Sequence, residues 1–239
     1  MKRIIVLLLI PSIIFSSCGM FGKRVRGNGK ISSETRDVKG YNSIDVSGSI
    51  DVYVRQDSIQ SVKIETDENL LDLITIREEG GVLHIHPKKG YNPKASGSIK
   101  VFVSGSEFRR FEASGSCDIF SENQLVSNGS IDIDLSGSCD ANLDVKAPRV
   151  SVDVAGSGSV TLKGETRDLS VDGAGSSTFK CIDLKSENVE VDIAGSGDAE
   201  VYASVKLDVE VAGSGTVKYR GEAAVSQSVS GSGRVTKLQ

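Results

Sequence analysis

An acidic side chain recurs along this chain at nearly even intervals: Asp45, Glu112, Asp134, Asp153, Asp172, Asp192 and Glu210. Carboxylates support two kinds of chemistry. Two held beside one bond can act as general acid and base, as in glycoside hydrolysis. Many spread along a surface can instead hold cations or the donor groups of a partner. Even spacing favours the second kind, because a catalytic pair needs one stretch of chain that differs from the rest. Glu112, Asp134, Asp153, Asp172, Asp192 and Glu210 are therefore read as an acidic binding ladder. Weak calcium binding between its members is the sharper expectation. A solvated face that keeps the molecule soluble is the plainer one.

The other reactive side chains are few. Only two histidines occur, His84 and His86, two residues apart on one face of a predicted strand with no third ligand nearby. They support neither a metal centre nor a Ser-His-Asp or Cys-His arrangement. Cys117 and Cys139 stand at matching places in consecutive repeats, close enough for a disulfide if the geometry allows it, and otherwise buried free thiols. Cys181 falls at an interior strand position. The 28 basic and 32 acidic side chains give a net charge of −4, with no basic stripe of the kind that binds nucleic acid. Trp is absent and Phe and Tyr number 7 and 5, which weighs against a sugar cleft built on aromatic platforms. No catalytic residue, metal or cofactor is expected.

What positions the acids is a repeat. Each stands three residues before the Gly of an Ala/Ser-Gly-Ser motif, and the same holds for Asp45 before Gly48. Taken from Gly97, the marker glycines are Gly97, Gly115, Gly137, Gly156, Gly175, Gly195, Gly213 and Gly231, at spacings of 18, 22, 19, 19, 20, 18 and 18 residues. A fixed period near 20 is the signature of a solenoid. Apolar residues fall four and two positions before the marker, as Val152 and Val154 do before Gly156. They fall again four and usually six after it, as Val160 and Leu162 do. A period of two is the period of a strand with one buried face. Helix is excluded by that spacing and by the glycine content. The prediction is an all-β chain: a single-domain parallel β-solenoid (β-helix), right-handed by expectation, with 18–22 residues per coil. Gly turns each corner because it accepts backbone angles that other residues resist. Stacked serines would bond up the ladder.

In chain order, residues 1–17 read as a secretory signal. Lys2 and Arg3 precede an apolar run too short and too broken by Pro11 to cross a membrane as a helix. Its end resembles a lipoprotein signal in which Cys18 is lipidated, although Phe15 stands where such signals carry Leu. That tethers the chain to a membrane without spanning it. Residues 18–30 read as a flexible, basic linker. Residues 31–96 hold a divergent repeat and an irregular N-terminal cap. Within it, Thr66 to Asn69 would cap a short amphipathic helix, and Gly80-Gly81 would turn a hairpin. Residues 97–239 are the regular solenoid, and 31–239 form one domain. Arg234 and Lys237 would blunt the last edge.

A lipoprotein-like start, then Ile44-Asp45-Val46-Ser47-Gly48-Ser49, Val62-Lys63-Ile64, Gly81-Val82-Leu83-His84-Ile85 and serial Ser/Ala-Gly-Ser coils resemble the bacterial autotransporter-adhesin head (GIN) domain family. The resemblance spans residues 35–239. It implies a β-solenoid, a cell-envelope location and an adhesive or binding role, and offers no catalytic residues to carry over. The chain shows no translocator barrel of its own. The expected protein is thus a non-catalytic, lipid-anchored outer-membrane protein facing either the periplasm or the cell surface. Its solenoid face would bind a macromolecule such as a cell-surface protein or glycan. Two rivals stand beside it: a polysaccharide-degrading β-helix enzyme using the ladder carboxylates, and a ligand-free scaffold that forms homo-oligomers end to end.

Overall fold

The computed structural model describes residues 22–239. The signal segment and Cys18 therefore lie outside the described residues. Strands make up 72% of the described residues, and the one helix among them is a six-residue 3-10 turn, Glu68–Leu73. The architecture is the expected parallel β-solenoid. Strand Ser130–Gly137 stacks in parallel register on the next coil, and that on the next, through Asp140–Gly156, Ser159–Gly175, Thr178–Gly195 and Asp198–Gly213. The inside–outside assignment also holds. Val152, Val154, Val160, Leu162, Val209 and Val211 are buried in one continuous core that runs the length of the stack.

The corner glycines fall into register one above another, but the column does not start at Gly97. It runs Gly48, Gly115, Gly137, Gly156, Gly175, Gly195, Gly213, Gly231. Gly97 has no atom within 4 Å of where its Cβ would sit, and the residue that abuts Gly48 from the other side is Pro87. The joints of the column are backbone, not serine hydroxyls. The amide of Ser116 donates to Gly48 O at 2.8 Å, that of Ser138 to Gly115 O at 2.9 Å, and the pattern continues to Ser232 on Gly213 O at 2.8 Å. Gly156 shows why no larger residue fits. Its φ is +138°, and a Cβ there would lie 2.2 Å from Gly137 O.

The N-terminal section departs from a simple spiral. The chain first builds a coil from Ser43–Gly48 and Asp51–Gln56. It then lays Val82–Pro87 and Lys100–Gly105 on one side of that coil, and crosses to lay Arg110–Gly115 and Asp118–Ser121 on the other. Antiparallel strands cover the outer end. Ser61–Asp67 pairs with Lys100–Gly105 and with Ile31–Arg36, and the expected hairpin pairs Ile74–Glu79 with Val82–Pro87.

Two readings of this section need correction. Residues 23–30 are not a loose linker, because Lys23–Arg26 pairs with Tyr91–Lys94. Asp67 stands at the start of the 3-10 turn, but its side chain makes no capping bond there. Its buried carboxylate accepts from Gly29 N at 2.6 Å, Ser96 N at 2.8 Å and Ser96 Oγ at 2.8 Å, tying three segments of the cap together. The Ser96 amide, with its hydroxyl and the Gly29 amide, holds this carboxyl below the usual range despite burial. Its contribution is present at neutral pH and is lost as pH falls through the lowered pKa.

The stacked corner generates the first test. Gly156→Ala should destabilise the fold by at least ~2 kcal/mol, from backbone strain and a clash with the coil below. Gly97→Ala should change stability by no more than ~0.5 kcal/mol, as an open surface site does. Urea denaturation of both variants checks the contrast. Equal effects would mean that the column begins at Gly97 after all.

Candidate functional site

The acidic residues come from the strand that leads into each corner. Three residues before the glycine, the side chain points outward, since the residues two and four before it point in. Parallel register then places Asp45 beside Glu112, Glu112 beside Asp134, and so on through Asp153, Asp172, Asp192 and Glu210. One residue before the glycine, the same outward face carries only small side chains: Ser114, Ser136, Ala155, Ala174, Ala194 and Ala212. Long acids beside short neighbours leave a groove of about 800 Å³ running along the stack, walled by the carboxylates and floored by methyl and hydroxymethyl groups.

The groove is electrostatically uneven. At its N-terminal end, His84 Nδ1 lies 2.9 Å from Asp45. Arg110 pairs with Glu112 at 2.7 Å and with Asp134 at 2.8 Å. Among the described residues no cation pairs with Asp153, Asp172, Asp192 or Glu210. Partial burial, then the neighbouring Asp172 and Asp134, raise the pKa of Asp153. Burial, then Asp172, Glu190 and Glu210, do the same for Asp192. Both shifts mean that ionising these groups costs the folded state free energy that a docked cation would return. Calcium finds no ready-made cage here. Among the described residues no three His, Cys, Asp or Glu side chains converge on one point.

The remaining candidates do not join this site. His86 turns to its own strand and bonds Pro87 O at 3.0 Å. Cys117 and Cys139 stack in adjacent coils, as expected, but both are free thiols and no disulfide joins them. Parallel register aims both Cβ vectors the same way. The sulfur of Cys139 therefore rides over the backbone, accepting from Cys117 N at 3.3 Å, while each thiol donates to a carbonyl of its own corner. The neighbouring sulfur and burial push the Cys117 thiol well above its ordinary range. Cys181 is fully buried, and burial alone raises it to about 12.

Sequence reasoning missed an outward aromatic column. Phe102, Tyr53 and Phe120 stack with ring centroids 5.1 and 5.2 Å apart, and Lys63 sits 4.7 Å above Phe102. All three stand five residues after a Gly of the motif, so the offset was there to be read. Their faces cover one another, so the column fastens coils together and presents no free platform to a sugar.

The family model "Putative auto-transporter adhesin, head GIN domain" matches residues 40–223. The chain belongs to this head GIN domain family. Solved relatives share its fold across their whole length. A protein of Bacteroides fragilis NCTC 9343 described as a putative adhesin is 21% identical, with a TM-score of 0.84, 90% of this chain aligned and 100% of that one. A protein of Parabacteroides distasonis ATCC 8503 described as a putative lipid binding protein is 27% identical, with a TM-score of 0.77, 91% of this chain aligned and 100% of that one. A putative adhesin from the same strain is 25% identical, at a TM-score of 0.74, with 90% and 100% aligned. Among curated proteins none matches. In this head GIN domain the repeated geometry of the corner and the acidic face lie on the same strands, so the scaffold presents the groove directly.

The outward–inward alternation is testable in neighbouring coils. Val211→Asp buries an unpaired charge and should cost at least ~3 kcal/mol. Asp192→Asn should be neutral or stabilising by ~0.5 kcal/mol at pH 7. Because the Asp192 pKa is raised in the fold, its unfavourable contribution vanishes as the group protonates. The difference between Asp192→Asn and wild type should therefore close as pH falls through the carboxylate range. Thermal unfolding across that range measures it.

Proposed function

We propose that this head GIN domain is a non-catalytic binding module of the bacterial cell envelope, tethered to the outer membrane through a lipidated Cys18. It presents the acidic groove to an extended partner, a cell-surface protein or glycan carrying cationic or donor groups along its length. The observation that carries this reading is the even distribution of carboxylates without cation partners from Asp153 to Glu210. An enzyme gathers its acid, base or nucleophile at one point, within about 3 Å of a reacting atom. A binding face divides its contacts among many similar positions, and here the coils from Glu112 to Glu210 each offer an acid at the same offset. Family membership and the names of the solved relatives support an adhesive or ligand-binding role. The signal-like residues 1–17 followed by Cys18 support the tether.

Two measurements test the reading. Cys18→Ala should move the protein from the membrane fraction to the soluble fraction in its native host and abolish fatty-acid labelling. Retention of both would remove the anchor from the proposal. For the groove, a lysine-rich peptide serves as probe. Neutralising Asp153, Asp172, Asp192 or Glu210 one at a time should weaken its binding by at most ~1 kcal/mol each, the scale of an exposed charge pair. The purified protein should release no fragments from a panel of bacterial and host glycans. Turnover abolished by one of these substitutions and untouched by the others would point to the polysaccharide-degrading enzyme.

A further inference from the structure

The two ends of the solenoid are finished differently. At the N-terminal end, antiparallel strands cover the first coil, and the outermost of them carry charge: Glu34 and Arg36 on Ile31–Arg36, and Arg77, Glu78 and Glu79 on Ile74–Glu79. Charged side chains on an edge discourage further pairing. At the C-terminal end the last full strand, Ala224–Gly231, pairs with Asp198–Gly213 on one side and, among the described residues, with no strand on the other. All eight of its residues are exposed, among them Val225 at 39% and Val229 at 40%.

This edge strand lacks every device that would protect it. It carries no charge, no proline and no register shift. The absence of charge is specific to this coil. Every strand stacked behind it, from Ser43–Gly48 onward, carries Asp or Glu three residues before its corner glycine, and here the residue is Ser228. The core-facing column changes too. Register places Val225 on Leu207, Gln227 on Val209 and Val229 on Val211, so a polar Gln227 replaces the apolar residue at the middle of the inner face. Arg234 and Lys237 blunt only the short neighbouring strand, Arg234–Lys237.

The segment Val225-Ser226-Gln227-Ser228-Val229 reads the same in both directions. An antiparallel pair of two such strands, related by a two-fold axis through Gln227, is therefore complementary to itself. Val225 falls opposite the partner's Val229 on the inner face, and Ser226 opposite the partner's Ser228 on the outer face. The two Gln227 amides meet on the axis, where each offers a donor and an acceptor to the other. The coil beneath it, placed at this end, would set Asp208 opposite the partner's Glu210 across the same axis. We infer that the strand Ala224–Gly231 is a homodimerisation edge, at which a second copy of this chain adds its own Ala224–Gly231 antiparallel and joins two solenoids end to end. Because the opposite end is covered and charged, the contact is isologous and closes at two chains without growing into a fibre.

The test uses the full chain carrying Cys18→Ala, in detergent, so that no thiol outside the described residues takes part. Sedimentation equilibrium across micromolar concentrations should give the mass of two chains. Ser226→Asp combined with Ser228→Asp sets like charges opposite one another twice, and should weaken the dimer by at least about tenfold with the circular dichroism spectrum unchanged. Gln227→Cys should form an intermolecular disulfide under mild oxidation. Ala224→Cys should not, because its copies lie about 20 Å apart in this register. A monomer at every concentration, an unlimited series of oligomers, or equal cross-linking at positions 224 and 227 would each overturn the inference.

Discussion

The approach of one backbone to the next at the glycine corner governs this molecule. An amide of each coil donates to the corner carbonyl of the coil below at 2.8–2.9 Å, which leaves no room for a side chain between them. Because the corners are pinned in register, the strands on both sides are pinned as well. Inner valines, isoleucines and leucines then stack like on like, and outer residues form columns of one chemical kind. Where one position in a column shrinks, its neighbour grows. Gly173 replaces the usual branched residue two before the corner, and a Cβ there would meet the Phe179 ring at 2.7 Å. The acidic groove is a by-product of the same register. A face that repeats its spacing coil after coil repeats its chemistry too.

That arrangement has an electrostatic cost, which the protein offsets at one end only. Arg110 bridges Glu112 and Asp134, and His84 Nδ1 meets Asp45, so the first three positions of the acidic column have partners within the fold. The positions from Asp153 to Glu210 are left to solvent and to whatever docks there. Asp153 and Asp192 feel this, and their pKa values are raised. Stability given up in this way by exposed carboxylates is recoverable on binding, which makes the unpaired half of the groove the chemically responsive half.

The regular part of the fold was legible because its determinants are local. The alternation around Gly156, Gly175 and Gly195 announces strand, corner and strand within some 20 residues, and the acids at a fixed offset announce their shared face. The N-terminal section was not legible for the opposite reason. Gly97 has the motif and the spacing of a corner, yet the coil that stacks against Gly115 belongs to Gly48, and only long-range pairing decides between them. Lys23–Arg26 has the composition of a linker and becomes a strand because Tyr91–Lys94 offers it an edge. Asp67 has the look of a helix cap but serves segments 38 and 29 residues away. The cysteines show a further limit, since adjacency in register says how near two side chains lie and nothing about where their bonds aim.

The order in which coils stack also bears on how the chain folds. From Gly115 onward each coil rests on the one made just before it, so closing each contact spans about 20 residues of chain. The contact of Gly48 with Gly115 spans 67 residues, and the loop entropy of closing it is about 1 kcal/mol greater. The first coil built is sandwiched between two that are synthesised later, one complete only at residue 105 and the other only at residue 121. Up to the first of these lengths the nascent protein lacks a template, and past it every added coil finds one waiting. Folding is thus slow to start and quick to extend.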